Sequence, residues 1–318
     1  MTFKSKLACL VAAYCLVAPL AAGAANLNDL IGGSSGAASP PASTAKKSPS
    51  SSLPLGGVLG GRGTHKLSKD ELRAAAHEAV VFVVNFGETK AEDGSIKETL
   101  STGTGFFLDP QTLLTNSHVV DGASMLLVSI AGQTYVKATV LADSHAARNK
   151  REDFALLRIE KPLGQSMLEI GEPVESLSDV YAIGFPGVVG KNDQRRADFL
   201  QGDLSAVPEV VISSGAVQNV MERSNGVEVV THSALIHHGN SGGPLINACG
   251  QVVGVNTWGA MDNATVIVPG RDQAGNVVAQ EGITSVATGF AFAQTVDEIR
   301  HFLKSRHQSF QQGAACRD

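Results

Sequence analysis

Gly239-Asn240-Ser241-Gly242-Gly243-Pro244-Leu245 is the stretch on which the reading of this chain turns. A serine hydroxyl alone is a poor nucleophile. It needs a base to take its proton and donors for the oxyanion that forms. Glycines around it permit a tight turn that aims backbone N–H groups, here those of Gly239 and Ser241, at one point. The same letters also describe a plain glycine-rich hairpin. Two upstream segments weigh against that. Leu113-Leu114-Thr115-Asn116-Ser117-His118-Val119-Val120 ends an apolar strand and presents His118 at its exit. Arg151-Glu152-Asp153-Phe154-Ala155-Leu156-Leu157 places Asp153 just before another apolar strand. A base at a strand end and a carboxylate at a strand start can meet across a barrel rim. Asp143, the rival acid, lies farther before that strand.

Outward from these segments the pattern is mostly β. Val80–Phe86, Thr104–Leu108, Gln111–Thr115, Met125–Ile130, Tyr135–Leu141 and Phe154–Ile159 read as strands. A second set is Val180–Gly184, Val210–Gln218, Val227–His232, Pro244–Asn247, Val252–Thr257, Thr265–Val268 and Gly289–Ala293. Turn signals such as Asp121-Gly122 and Ala131-Gly132 separate them, which indicates an all-β sandwich or barrel pair. Helical spacing appears from Leu67 to Ala79, with Ser68 and Glu71 spaced as a capping box. A closing helix is predicted from Thr295 to about Lys304, with Val296, Ile299, Phe302 and Leu303 on one face. The polar stretch Gly187 to Pro208, holding Arg195 and Arg196, reads most simply as a solvated loop, with a gating loop as the alternative. Residues 260 to 285 read as an insertion forming a hairpin flap.

The His118, Asp153 and Ser241 segments, in that order, resemble the trypsin-like serine peptidases, nearest to the HtrA/Deg branch. Ala182-Ile183-Gly184-Phe185-Pro186, Val253-Gly254-Val255-Asn256-Thr257 and Gly289-Phe290-Ala291-Phe292-Ala293 extend the resemblance over about residues 78 to 304. It implies two six-stranded antiparallel β-barrels of chymotrypsin type with the site between them. Residues 65–175 would form the first barrel, carrying His118 and Asp153. Residues 176–310 would form the second with its closing helix, carrying Ser241, and 311–318 a tail. The implied chemistry is acyl transfer. Ser241 attacks the peptide carbonyl, His118 moves the proton and Asp153 holds the imidazole. Amides of Gly239 and Ser241 stabilise the oxyanion, at roughly 3 kcal/mol per donor. Neither metal nor organic cofactor is implied; protein or peptide substrates are, and relatives form trimers.

Two departures from the family stand out. No PDZ-like domain follows the closing helix. Asn240 precedes the serine where zymogen-activated relatives carry an Asp, so activation by a cut N-terminus is not expected. The primary pocket is expected between the segment before Ser241, Thr257-Trp258-Gly259 and Gly289-Phe290-Ala291, with Leu235 and Ile236 at its base. No acid stands there, which points to cleavage after small or medium aliphatic residues. His232, His237 and His238 read as polar rim or hydrogen-bonding positions rather than metal ligands. A catalytically silent binding or chaperone-like module on the same fold is the alternative.

The chain has 318 residues, 43% of them hydrophobic, enough for a sizeable core. Its net charge of -5 offers no basic field for nucleic acid. Lys4 and Lys6 precede the apolar run Leu7 to Leu20, and Ala21-Ala22-Gly23-Ala24-Ala25 follows. That pattern reads as a secretory signal over residues 1–25, leaving no membrane span and a secreted or periplasmic protein. Residues 26–64, rich in Gly, Ser, Pro and Ala, read as a flexible linker. Export leaves Cys249 and Cys316, either two free thiols or a pair pinning the tail to the body.

Overall fold

Helix α1, Lys69–Ala79, begins at the capping box the sequence predicts. Ser68 Oγ accepts from the Glu71 N–H at 3.3 Å, and Glu71 Oε2 accepts from the Ser68 N–H at 2.8 Å. The computed structural model describes residues 65–90, 95–130, 135–145, 152–163, 165–187, 194–200, 203, 205–271 and 277–317. The predicted leader, the linker and the Ala131-Gly132 turn lie outside these residues.

Strands β1 (Val80–Lys90), β2 (Ile96–Phe107), β3 (Thr112–Thr115), β4 (Ala123–Ile130), β5 (Val136–Asp143) and β6 (Ala155–Ile159) close a barrel in the order β1-β2-β3-β6-β5-β4. One short helix, α2 (Ser117–Val120), interrupts it between β3 and β4. Strands β7 (Asp179–Gly184), β8 (Val211–Glu222), β9 (Glu228–His232), β10 (Pro244–Asn247), β11 (Val252–Arg271) and β12 (Val277–Thr295) close a second barrel, ordered β10-β11-β12-β9-β8-β7. Every neighbouring pair is antiparallel. The fold is thus the paired six-stranded barrel of the chymotrypsin type. Closure removes sheet edges that would otherwise invite aggregation.

The last helix among the described residues is α4 (Val296–Ser305), whose buried face is the predicted Val296, Ile299, Phe302 and Leu303. Thr295 caps it, accepting from the Glu298 N–H at 3.5 Å. Phe302 packs on Phe154 with ring centroids 5.4 Å apart. Each ring so buried contributes roughly 2–3 kcal/mol, and this pair fixes the residue that follows Asp153. Beyond α4, Cys316 is joined to Cys249 by a disulfide, with Cα atoms 5.7 Å apart. The tail is therefore clasped to the β10–β11 turn.

Two expectations change. The stretch Gly187 to Pro208 is not simply a solvated loop. It contains helix α3 (Gln194–Leu200), and Phe199 within it is buried, with its ring 4.9 Å from Tyr135 and 6.2 Å from Phe82. One aromatic residue anchors a segment whose polar composition reads as exposed. The second change concerns Val252–Thr257 and Thr265–Val268, which are one strand. Strand β11 runs through both and pairs with β12 as far as Arg271↔Val277. The hairpin flap exists, but as a continuation of the barrel strands themselves.

Candidate active site

His118 sits in α2, one turn long, directly after β3. Its ring Nδ1 lies 2.6 Å from Asp153 Oδ2, while its backbone N–H donates to Asp153 Oδ1 at 3.0 Å. One carboxylate thus grips both ring and backbone of the same residue. A proton on Nδ1 facing that carboxylate leaves Nε2 with the lone pair in the neutral ring. Asp153 is held in turn from both barrels. Its carbonyl accepts from Asn116 Nδ2 at 2.6 Å, and its N–H donates to Gln294 Oε1, on β12, at 3.0 Å. Asp143 bonds elsewhere, accepting from Ser117 Oγ at 2.6 Å and lying 3.0 Å from His145 Nδ1.

The loop around Ser241 is folded by its glycines. Gly242 has φ +83°, and a Cβ there would collide with Thr115 Oγ1 and the Thr104 carbonyl. Gly239 has φ +101°, third residue of a turn in which the Asn240 N–H donates to the His237 carbonyl at 3.0 Å. Positive φ at that position demands glycine. Asn240 closes the same turn with its side chain, accepting from the His237 N–H at 3.3 Å. The His238 carbonyl accepts from the Gly187 N–H at 2.7 Å. In a trans peptide the N–H opposes the C=O, so that bond turns the Gly239 N–H away from Gly187. Thr104 completes the loop from the first barrel. Its hydroxyl donates to the Gly239 carbonyl at 2.6 Å, and its N–H donates to the Ser241 carbonyl at 2.9 Å.

The Ser241 hydroxyl donates to the Thr257 carbonyl at 3.1 Å. Among the described residues no hydrogen bond joins it to His118. Rotation about χ1 between staggered wells redirects it. His118, Asp153 and Ser241 nonetheless line one cleft of about 590 Å³, together with Leu235, Ile236, Thr257, Trp258, Gly259 and Phe290. Every residue named from the sequence as substrate-binding therefore faces the same space. Leu235 is 59% exposed, a rim rather than a floor. Trp258 stacks on Phe292 at 5.2 Å, and the Arg223 guanidinium covers its ring at 4.4 Å, which stiffens the wall. His237 and His238 stand on the rim, whereas His232 is fully buried. Neither His232 ring nitrogen has a hydrogen-bond partner among the described residues. Burial pushes its pKa down to about 4.

Residues 103–255 match the family described as the trypsin-like peptidase domain. Over those residues the chain is similar to trypsin-like peptidases. Its matched stretch runs from β2 into β11 and includes His118, Asp153 and Ser241. Among curated relatives, the chain is 31% identical over 163 residues to the "Probable periplasmic serine endoprotease DegP-like" of Pseudomonas savastanoi pv. phaseolicola, covering 51% of this chain and 30% of that protein. It is 31% identical over 196 residues to "Serine protease Rv3671c" of Mycobacterium tuberculosis, covering 59% and 44%. The chain thus spans less than half the length of either. The crystal structure of the active form of the Rv3671c protease matches with a TM-score of 0.52 at 20% identity, over 86% of this chain and 99% of that one. At that identity the likeness is one of fold.

Four residues around this cleft escaped the sequence reading. Thr104, Gly187, Asn116 and Gln294 act through backbone contacts from segments far away in the chain. The only signal for Thr104 is its place between Gly103 and Gly105, small residues where two chains approach closely.

Proposed function

We propose that this chain is a serine endopeptidase that cleaves peptide bonds through an acyl-enzyme on Ser241. The observation that carries this reading is the 2.6 Å contact between His118 Nδ1 and Asp153 Oδ2 in the cleft that Ser241 lines. His118 Nε2 takes the proton as Ser241 Oγ attacks the carbonyl, then delivers it to the leaving amine; water repeats the cycle to release the acid. Asp153 fixes the tautomer and stabilises the imidazolium. The N–H groups of Gly239 and Ser241 receive the oxyanion. The cleft lining includes Ala234, Leu235 and Ile236, and its one carboxylate, Asp153, is engaged by His118, which supports cleavage after Val, Ala, Ile or Leu. The Cys249–Cys316 disulfide supports an oxidising compartment. The signal-like residues 1–25 and the periplasmic relative support secretion or the periplasm.

The Ser241–Thr257 hydrogen bond favours a second reading, a silent module whose hydroxyl stays turned away from His118. A serine-directed phosphonate separates the two. An adduct on Ser241, with peptide-library cleavage lost in Ser241→Ala, supports the enzyme. No adduct under any condition removes it. Cuts mainly after Lys, Arg or Glu would overturn the pocket assignment alone.

A further inference from the structure

Helix α2 carries His118 but has little means of holding itself together. It runs only from Ser117 to Val120, and Asn116 at its N-cap makes no side-chain cap. Inside the turn the Val119 N–H donates to the Asn116 carbonyl at 3.2 Å. So short a helix is unstable by itself, because nucleation costs more than so few bonds return. Its closing carbonyls have no partner within the helix. Packing does not fix the imidazole either, since the His118 side chain is 45% exposed.

The missing donors come from β1. Asn85 is buried there, and its Nδ2 donates to the Val119 carbonyl at 2.9 Å and to the Asp121 carbonyl at 3.0 Å. Both protons of the amide are thus committed to the end of α2. The mount is rigid, because β1 is paired on both sides at this point, Asn85↔Ser101 on β2 and Asn85↔Leu126 on β4. Val119 is wedged from β2 as well. A Cβ on Gly103 would lie 2.6 Å from Val119 Cγ1 and 3.2 Å from the Ser241 carbonyl. The residue that Asn85 tethers therefore packs beside the strand that meets the serine. Asn85 Oδ1, in contrast, is buried with no hydrogen-bond partner among the described residues. That is a cost. An apolar residue on this barrel strand would avoid it, but would leave the two carbonyls of α2 unpaired.

We infer that Asn85 is a positioning residue for the proposed acyl transfer: it sets the place of α2, and with it the reach of His118 Nε2 toward Ser241 Oγ. It touches neither the reacting atoms nor the cleft lining, so it acts wholly through α2. Asp153 grips the ring and the N–H of His118, and Asn85 grips the carbonyls that follow. Asp153 is anchored separately, by Gln294 of the second barrel. A shift of α2 therefore changes the Nδ1–Oδ2 contact instead of carrying the carboxylate along. This rests on the proposed peptidase activity and adds a residue to its machinery.

The test compares the wild type with Asn85→Leu, which keeps the branching and removes both donors. Cys316→Ser serves as a protein destabilised away from the cleft. Turnover is counted per site titrated with a serine-directed phosphonate. For Asn85→Leu, kcat falls about tenfold to a hundredfold, with KM within about twofold. The downfield proton resonance of His118 Nδ1 is read by NMR in the same proteins, well below their unfolding temperatures. It shifts and broadens in Asn85→Leu and stays in place in Cys316→Ser. Asn85→Ala leaves room for a water on the two carbonyls and falls between; it carries the comparison if the leucine variant does not fold. An unchanged kcat, or an unmoved resonance, overturns the inference and leaves Asn85 structural only. So does rapid exchange of the Asn85 side-chain amide protons in the wild type. The phosphonate adduct on wild-type Ser241 tests the peptidase reading separately, and the resonance needs no turnover, so the two failures are distinguishable.

Discussion

The Thr104 hydroxyl, in the first barrel, donates to the carbonyl of Gly239, in the second, at 2.6 Å. The same oxygen accepts from the Phe185 N–H at 3.2 Å. Two backbone groups of the second barrel thus depend on one side chain of the first, and one belongs to Gly239, whose N–H the proposed mechanism assigns to the oxyanion.

Thr104→Val keeps the shape and removes the hydroxyl. It leaves two buried groups unpaired, at roughly 1–3 kcal/mol each. The expected outcome is a thermal midpoint lower by several degrees and a kcat reduced about tenfold or more with KM little changed, because the hole acts on the transition state. Thr104→Ser restores both. A kcat unchanged in the valine variant would show that Thr104 is structural only.

Asp153→Asn disturbs the tautomer of His118 while preserving bulk. A fall of about 10⁴ in kcat is expected for a triad acid. Asp143→Asn should leave kcat near wild type, because its carboxylate serves Ser117 and His145. Steady-state kinetics of the two variants decides which carboxylate holds the imidazole.

The strands, the capping box and the apolar face of α4 were legible because each is local: period two, a four-residue motif, period 3.6; their closure into two barrels came from the family resemblance. The three segments around His118, Asp153 and Ser241 were legible because their chemistry needs particular residue types. Phe199 was missed because one buried ring outweighs a polar neighbourhood, and no short-range pattern announces that. Thr104, Gly187 and Gln294 were missed for another reason. Each acts by a hydrogen bond to backbone across 51 or more positions, and backbone groups carry no sequence signature. The length of β11 was hidden because residues 260 to 285 read as an insertion, whereas β11 and β12 stay paired as far as Arg271↔Val277.

His232 offers a pH test. Its pKa falls from 6.5 to about 4 on burial, so between those values the unfolded chain binds the proton more readily than the folded one. Stability therefore drops as pH falls through that window, by about 3 kcal/mol in all. Glu169, whose pKa burial raises, pulls the other way. Comparing wild type with His232→Leu by urea unfolding at about pH 7 and about pH 4 isolates the histidine; the variant has the flatter dependence. Equal slopes would exclude a buried neutral imidazole.

The Cys249–Cys316 bond spans 67 residues. Chain-entropy arithmetic assigns such a loop about 4 kcal/mol. Cys316→Ser should lose stability of that order in denaturant titration while retaining peptide cleavage, since neither cysteine lines the cleft. Loss of cleavage with stability intact would instead link the clasp to the site.

The contact between Thr104 and Gly239 also bears on cutting this protein in two. A break between β6 and β7 parts the barrels cleanly along the chain, yet strips the serine-bearing half of the oxygen that shapes its own turn. On the proposed mechanism, neither piece by itself holds the complete site. Reassembled activity would thus serve as a direct gauge of how well separately made halves find one another.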